Sequence, residues 1–403
     1  MKRIFLIPFI LVMIPNFTKA HEYKIKPGII ITKENYSKYL PELKRLLPVA
    51  PFPIVINALE KGWITLPVIE KQKFLAPSGF AKASAGNKGK FKVGVENKLI
   101  GPAWNGGSPF PDPETGSELG WSLFRRRECA EEFYILADQL LVDKKCKIER
   151  SFTNFFHKKS FVGRTDIHPI PEIRGNNGLI FWKESMLVTK PFDVKGFSMV
   201  RIHYEDLYRN DDVYSYIPAI RRLRRLTGSD TTDPVLGSDC CYDDFEGWHQ
   251  KLDPKMTFKI LGIRDFILTR YYRKKPPEPY IRYNCYQLEW QIRPLFILEI
   301  KLNDPNYPYS RRIFYIEKER GTFDIEYGEC YDQKGRFWRS NFTIPLRYYD
   351  NSSNQSNYWG GSFTDHLSRH YTMFRMDPID LNLGEVFIAP EMFTIRGLLK
   401  KAR

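Results

Sequence analysis

A basic run followed by clustered acids is the part of this sequence most suited to chemistry. Four arginines fall within five positions, and six acids follow within about twenty residues; the arginines are Arg221, Arg222, Arg224 and Arg225, and the acids include the cluster Asp239, Asp243 and Asp244. Guanidinium groups bind carboxylates and phosphates through paired, charge-assisted hydrogen bonds. The segment therefore carries either a binding surface for an anionic partner or a structural element that neutralises its own charge.

The aspartates admit two interpretations. Clustered carboxylates bind hard cations through oxygen ligands. Ion pairs with the arginines just upstream are the alternative, and the proximity of opposite charges favours it. On that structural interpretation, the arginines end a strand and pair with acids of the returning segment. The competing hypothesis is a contact with a lipid headgroup or partner protein, which would include Tyr214, Tyr216 and Ile217 of the same strand.

The spacing of the arginines bears on this choice. In a strand that begins at Val213, successive side chains point to opposite faces. Arg221 and Arg225 would then leave one face, and Arg222 and Arg224 the other. A single flat anion-binding patch is therefore not expected.

Other signatures of chemistry are weak. His366 and His370 would share one face of a helix, but a zinc site needs three or four ligands and no third is suitably spaced. The sequence contains no nucleophile elbow, H-E-x-x-H motif, Walker loop or EF-hand loop. We therefore expect neither an enzyme nor a bound cofactor.

The first twenty residues have the pattern of an export signal. Two basic residues precede an apolar run, and the small residues Thr18 and Ala20 follow it. The run is shorter than the roughly 20 apolar residues needed to span a bilayer. Cleavage of residues 1–20 predicts a soluble periplasmic protein, residues 21–403, which is not lipidated because His21 stands where a lipoprotein has cysteine.

The charge and the cysteines are consistent with export. The formal net charge is +15, which suits acidic surfaces such as lipid headgroups. Nucleic acid would fit this charge as well, but the basic residues are spread along the chain without a single-sign tail, which favours a solvated basic surface. No nucleic-acid partner is predicted. Six cysteines without a C-x-x-C motif predict two or three structural disulfides in an oxidising compartment.

The elements that must position these residues are mainly strands. Segments rich in β-branched and aromatic residues, several with period-two alternation, recur from residue 196 to 349. They are predicted at 196–204, 212–220, 256–263, 286–292, 296–302, 311–318, 322–332 and 337–349. No amphipathic helices alternate with them, so a curved antiparallel sheet is expected. A helix is predicted at 31–47 and an irregular Gly/Pro-rich insertion at 101–121, within one domain.

The motif around the arginines resembles a known family. "DDVYSYIPAIRRLRRLTGSDTTDPVLGSDCCYDDFEGW" and "RRIFYIEKERGTFDIEYGECYDQKGRFWR" are similar to periplasmic proteins of the LolA/LolB type, and within them to domain of unknown function 1329. The sequence departs from that pattern at Cys240-Cys241 and at Tyr214, where tryptophan is common. The resemblance implies a mainly β (α+β) fold, an open half-barrel of antiparallel strands with helices in or beside its concave face. It also implies a cavity for hydrophobic cargo.

Two functions follow as the main hypotheses, and an exported hydrolase, which would need a converging nucleophile and base, is the remaining alternative. The first is a periplasmic carrier or binding protein for lipid, lipoprotein or other hydrophobic cargo, serving transport to the outer membrane. The second is a non-catalytic adaptor. The resemblance implies, as partners, a transporter of the resistance-nodulation-division type and an outer-membrane protein.

Overall fold

The computed structural model describes residues 23–127, 130–226, 231–269, 288–341, 346–350, 355–382 and 388–402. The expected signal peptide, residues 1–20, lies outside the described residues. In the described part of the chain, no helix is both long enough and apolar enough to cross a membrane.

Most of the described chain forms one large sheet. Its strands are β5 Glu132–Val142, β6 Ile148–Ser160, β7 Ile180–Lys190, β8 Ser198–Tyr204, β9 Asp212–Ile217, β10 Arg222–Leu226, β11 Met256–Thr269, β12 Trp290–Leu302, β13 Tyr309–Glu317, β14 Ile325–Asp332, β15 Phe337–Asn341, β16 Leu346–Asp350, β17 Gln355–Asp365 and β18 His370–Asn382. Two small sheets pair β1 Ile30–Ile31 with β2 Leu66–Pro67, and β3 Lys92–Val93 with β4 Leu99–Ile100.

The strand order confirms the predicted fold class. The order is β10-β9-β8-β7-β6-β5-β18-β17-β15-β14-β13-β12-β11, with β16 beside β17. Every neighbouring pair is antiparallel. The two ends, β10 and β11, are edge strands, so the sheet is not closed. The protein is mainly β, with few helices.

The helices pack against this sheet. They are α1 Tyr36–Leu46, α2 Pro51–Glu60, α3 Ser78–Asn87, α4 Gly116–Phe124 and α5 Ile395–Ala402. Leu43 of α1 and Val55 of α2 join Trp290 and Met373 of the sheet in one buried apolar cluster. Leu119 and Leu123 of α4 contribute to a second cluster with β12, β13 and β14, and α5 buries its apolar side against β7 and β8.

Two helices begin at positions that differ from the sequence-based expectation. The helix predicted at 31–47 exists, but it begins at Tyr36. The insertion expected to be irregular over 101–121 becomes helical at Gly116. The Thr115 hydroxyl accepts a hydrogen bond from the Glu118 amide, and the Glu118 carboxylate accepts one from the Thr115 amide. This capping box satisfies two amides that would otherwise lack partners.

Strands β17 and β18 were absent from the prediction, and so were β5, β6 and β7. The buried faces of these last three include charged residues such as Lys159 and Glu184, which interrupt the alternation of apolar and polar residues. Conversely, the strands predicted at 286–292 and 296–302 form the single strand β12. Its pairing with β13 begins at Leu295, so Pro294 lies outside that ladder.

Candidate functional site

The arginine segment forms a hairpin at one edge of the sheet. β9 ends at Ile217, a 3₁₀ turn covers Pro218–Ile220, and β10 returns antiparallel to β9. Proline is tolerated at the start of a turn, where its φ is suitable and its missing N–H costs nothing. Arg221 reverses the chain in the left-handed region, with φ 50°. The expectation that Arg221 and Arg225 leave a continuous strand on the same face is therefore wrong.

All four arginines are exposed. Arg222 and Arg224 share one face of β10, as expected, and Arg225 lies on the other. Arg225 pairs with Asp212 of the preceding strand rather than with an acid of the returning segment. The other three make no ion pair with any residue the structure describes. The favoured interpretation, in which the arginines pair with acids of the returning segment, is therefore wrong for those acids that the structure describes.

Tyr214, Tyr216 and Ile217 are half-buried on β9. In register, Tyr214 lies opposite Val200, which belongs to the apolar cluster formed with α5. The two tyrosines therefore share the face of the sheet on which α5 packs. A role for these three residues in ligand or partner binding stays a prediction.

Asp239 is buried in a contact with β18. It pairs with His370 at 2.6 Å and accepts a hydrogen bond from the Thr372 hydroxyl at 2.8 Å. His366 lies in the turn before that strand, and its Nε2 is 2.9 Å from the Ser340 hydroxyl. The two histidines are therefore not on a helix and do not share a face.

Asp243 and Asp244 enter a second buried cluster. Tyr307 donates a hydrogen bond to Asp243 at 3.1 Å, and Arg312 pairs with Asp244 at 2.6 Å. Burial raises the pKa of Asp243. Burial acts in the same direction on Asp244, but the Arg312 charge together with hydrogen bonds from Arg312 and Cys241 outweighs it, and the pKa of Asp244 is lowered. Among the described residues, no group of three His, Cys, Asp or Glu side chains is placed to hold a metal ion.

Residues 231–250, called the covering segment below, lie over strands β6 to β8. Lys158 of β6 pairs with Glu246, and His249 Nε2 is 2.7 Å from the same carboxylate. His249 Nδ1 lies 3.3 Å from Glu184, a fully buried carboxylate of β7. Burial by itself would raise the pKa of Glu246, but the Lys158 and His249 charges hold it well below its usual range.

A buried arginine completes this network. Arg201 of β8 pairs with Asp211 at 2.7 Å and donates to the carbonyls of Tyr242 and His249. His203 Nδ1 lies 2.9 Å from the same aspartate. Burial would raise the pKa of Asp211, but His203 and Arg201 together lower it. Because Arg201 donates to two backbone carbonyls of the covering segment, it fixes that segment to the sheet, and Asp211 holds the guanidinium in place.

A small cavity lies beside the network. Its volume is about 80 Å³, and its lining includes Lys158, Trp182, His203 and Trp248. A water molecule occupies about 30 Å³ in the liquid, so the cavity has room for only a few waters. Pockets for small organic ligands are about 300–1,000 Å³. This cavity is too small for an acyl chain.

A much larger open groove lies between the segment 71–81 and the region joining β13 to β14. Its volume is about 900 Å³. Phe74, Leu75, Ala76 and Ala81 supply apolar surface, and Leu75 is 51% exposed. The first end of the lining segment carries charge: Lys71 and Lys73 are exposed, and Lys71 pairs with Glu319 across the groove at 2.6 Å. The groove combines ligand-sized volume, an apolar lining and a charged rim that contains both lysines and Glu319.

Two buried arginines hold this lining in place. Arg293 forms a double hydrogen bond with Glu317, at 2.9 and 3.2 Å, and donates to the carbonyl of Gln72. Arg320 donates to the carbonyl of Leu75 at 3.1 Å. Charge-assisted bonds of this kind are about twice as strong as neutral ones. The irregular segment 71–76 is therefore anchored without a strand or helix of its own.

The described cysteines are free thiols: Cys146, Cys240, Cys241 and Cys330. Cys129 and Cys285 lie outside the described residues, so the expected disulfides are not found among the thiols that can be placed. Burial raises the pKa of Cys240 and Cys241 well above the usual value and that of Cys330 to about 12. Such thiols are protonated at neutral pH and are poor nucleophiles.

The sequence did not reveal the groove. Its lining comes from "KQKFLAPSGFA", residues 71–81, and from Arg293, Glu319 and Arg320, more than 200 positions later. The only local signal is an apolar Phe74-Leu75 pair between lysines and a proline, which is equally typical of a surface loop. The opposite wall is defined by tertiary contacts alone.

The fold and the groove together define a mainly β protein with an open antiparallel sheet and a ligand-sized apolar groove. The model of the family "Protein of unknown function (DUF1329)" matches residues 30–383. The chain belongs to that family, which confirms the resemblance inferred from its motifs. None of the curated proteins matches the chain.

Solved structures resemble it at low sequence identity. A domain described as an outer membrane lipoprotein-sorting protein domain from Vibrio parahaemolyticus shares 16% identity and a TM-score of 0.47, covering 70% of this chain and 97% of that one. A DUF1329 family protein from Desulfovibrio piger shares 16% identity and a TM-score of 0.47, covering 67% and 92%. The LolA superfamily protein NE2245 from Nitrosomonas europaea shares 12% identity and a TM-score of 0.43, covering 70% and 98%.

Proposed function

We propose that the protein is a periplasmic binding or carrier protein for a lipid or another ligand with an acyl chain, held in the groove along residues 71–81. The observation that carries the proposal is the groove volume of about 900 Å³. It falls within the range of pockets for small organic ligands, whereas the cavity of about 80 Å³ does not.

The composition of the groove supports an amphipathic ligand. An acyl chain laid against Leu75, Ala76 and Ala81 would remove apolar surface from water, which contributes about 25 cal/mol per Å². Lys73 at the rim suits an anionic headgroup, whereas Lys71 already pairs with Glu319. Hydrophobic contacts would supply the affinity, and Lys73 would orient the headgroup.

The cellular setting belongs to the same proposal. The export pattern of residues 1–20 supports a periplasmic location. Service to the outer membrane, with a transporter of the resistance-nodulation-division type and an outer-membrane protein as partners, rests on the sequence resemblance. Binding rather than catalysis is proposed; burial raises the pKa of Cys240, Cys241 and Cys330, which makes these thiols poor nucleophiles.

The test blocks the groove from α3. Ala81 is exposed and lines the groove, and Ala85 is exposed one helical turn further on. A dansyl-labelled fatty acid is titrated into the wild type, Ala81→Trp and Ala85→Trp. Because the indole would occupy the site of the acyl chain, we expect Ala81→Trp to bind the probe at least about tenfold more weakly. Ala85→Trp should bind as the wild type does.

Lipid extracts give a second measurement on the same proteins. Protein purified from the periplasm should carry extractable lipid, and Ala81→Trp should carry less. If the wild type takes up no probe and yields no lipid, or if both tryptophan variants lose binding equally, the groove is not the binding site.

A further inference from the structure

Three elements meet at one end of the edge hairpin. A Cβ added to Gly196 would lie 3.7 Å from Pro218 of the hairpin turn and 3.9 Å from Leu399 of α5. The turn Phe192–Val194, just before this glycine, lies beside the hairpin turn Pro218–Ile220. We call this end of the molecule the hairpin tip: residues 190–196 and 217–225, together with the last turn of α5.

The hairpin tip exposes large apolar side chains. Phe192 is 92% exposed, the highest fraction of any large apolar side chain the structure describes, and Ile220 is 54% exposed. Leu223, on the returning strand, is 57% exposed. Scattered exposed apolar residues are normal, but a group on adjoining turns marks an interaction surface.

Basic residues surround these apolar side chains. Among the described residues, the exposed basic side chains of the hairpin tip without an ion pair are Lys190, Lys195, Arg221, Arg222, Arg224, Lys400 and Lys401. Two acids are near, but Asp193 pairs with Arg150 and Asp212 with Arg225. The surface is therefore strongly cationic, and its complement is an anionic surface.

The order of residues along the hairpin suits a bilayer. The turn Pro218–Ile220 is apolar, and Arg222 and Arg224 lie two and four positions after Ile220. A strand rises about 3.4 Å per residue, so those arginines stand roughly 7–14 Å behind the apolar turn. Interfacial segments bury their apolar face about 5–10 Å into the headgroup and acyl boundary. With the turn inserted, the arginines would reach the phosphates.

We propose that the hairpin tip docks the protein on an anionic lipid bilayer, with Phe192 and Ile220 inserted at the interface and the arginines on lipid phosphates. This goes beyond the proposed function, because it assigns a membrane-docking surface separate from the groove. It also needs no cargo, so failure of either proposal leaves the other standing.

Vesicle flotation tests the docking surface directly. The full mature chain is mixed with vesicles of phosphatidylcholine alone or of phosphatidylcholine with phosphatidylglycerol. We expect binding to the anionic vesicles only, weakened by salt. Arg222→Gln/Arg224→Gln should partition roughly 25-fold more weakly, since each basic residue near such a surface is worth about fivefold. Phe192→Ser should by itself weaken partitioning to the anionic vesicles about tenfold, because the apolar ring no longer inserts.

The opposite edge strand supplies a matched control. β11 exposes Lys259, Ile263 and Arg264, a comparable set of basic and apolar side chains. Lys259→Gln/Arg264→Gln removes the same charge and should bind vesicles as the wild type does. Arg222→Lys/Arg224→Lys keeps the charge and should retain most binding. Unchanged thermal melting in all variants would show that the fold is intact.

Three results would overturn the proposal. One is equal binding to neutral and anionic vesicles. A second is equal loss in the β10 and β11 glutamine variants, which would mean that only net charge matters. The third is that no vesicles bind while light scattering shows a dimer that Arg222→Gln/Arg224→Gln abolishes, in which case the hairpin contacts a second copy of the chain.

Discussion

Arg311 and Arg312 are neighbours on β13 that meet opposite environments. Arg312 is 3% exposed and pairs with Asp244 at 2.6 Å, while Arg311 is 35% exposed and lies 3.3 Å from Glu299. Tyr309 also donates to the buried aspartate. The same residue type therefore performs two different tasks one position apart, because successive side chains of a strand point to opposite faces.

This contrast gives the first stability prediction. Arg312→Gln leaves Asp244 buried without its charge partner, and breaking a buried pair in this way costs about 3–5 kcal/mol of unfolding free energy. Arg311→Gln removes a pair near the surface, which is worth less than about 1 kcal/mol. Urea denaturation of the two variants measures the difference. Equal losses would contradict the assignment of Arg312 to a buried network.

At the scale of elements, α4 depends on close approach to an edge strand. A Cβ on Gly116 would lie 2.3 Å from the carbonyl oxygen of Phe258 in β11, a distance that requires backbone movement. The capping box at Thr115 and Glu118 fixes the helix start at this point. The glycine and the cap together explain why a segment rich in glycine and proline ends in a helix.

Alanine substitution tests this close approach. Gly116→Ala should lower the unfolding free energy by about 1–3 kcal/mol, since overpacking shifts the backbone of β11. The control is Gly86→Ala in α3, where a Cβ would meet nothing within 4 Å. There alanine's helix propensity should raise stability by roughly 0.5–1 kcal/mol. If the melting temperature shifts in the same direction in both variants, the close contact with the Phe258 carbonyl is not the cause of the change in stability.

At the scale of the whole molecule, two buried histidines and one half-buried histidine couple stability to pH. His157 on β6, His203 on β8 and His366 after β17 each have a pKa lowered to about 4, mainly by burial. The unfolded chain takes up these protons near pH 6.5, the ordinary value. Their stabilising contribution is therefore complete above about pH 6.5 and is lost as pH falls toward about 4.

The resulting prediction is a stability loss between about pH 7 and about pH 5, with roughly 1–2 kcal/mol from each histidine. Asp239, Asp243 and Glu329 act in the opposite direction, because burial raises their pKa and they take up protons in the folded state. Substitution of a single histidine therefore shows how much of the pH-dependent stability loss that histidine causes. His366→Gln should reduce the pH-dependent loss by about one histidine's share in urea titrations at both pH values.

The exposed His168 provides the control for that experiment. His168→Gln should keep the full loss of stability between the two pH values. If His366→Gln also keeps it, burial of that imidazole does not contribute to the pH dependence.

The sequence by itself determined the fold class and the family. Strands such as β13 and β14 carry β-branched and aromatic residues in local patterns, which need no knowledge of their partners to read. The arginine motif near Arg222 likewise identified the family from local order alone. β5, β6 and β7 escaped prediction because charged residues such as Glu184 are buried there by partners from distant segments.

Only the tertiary structure decided the partners and the sites. Asp244 pairs with Arg312, 68 positions away, rather than with the nearby arginines. The groove joins residues 71–81 to Arg320, across most of the chain. The hairpin tip likewise needs α5 and the turn at Phe192 beside it. Local patterns specify backbone periodicity, but ion pairs, grooves and surfaces depend on which distant side chains the folded sheet brings together.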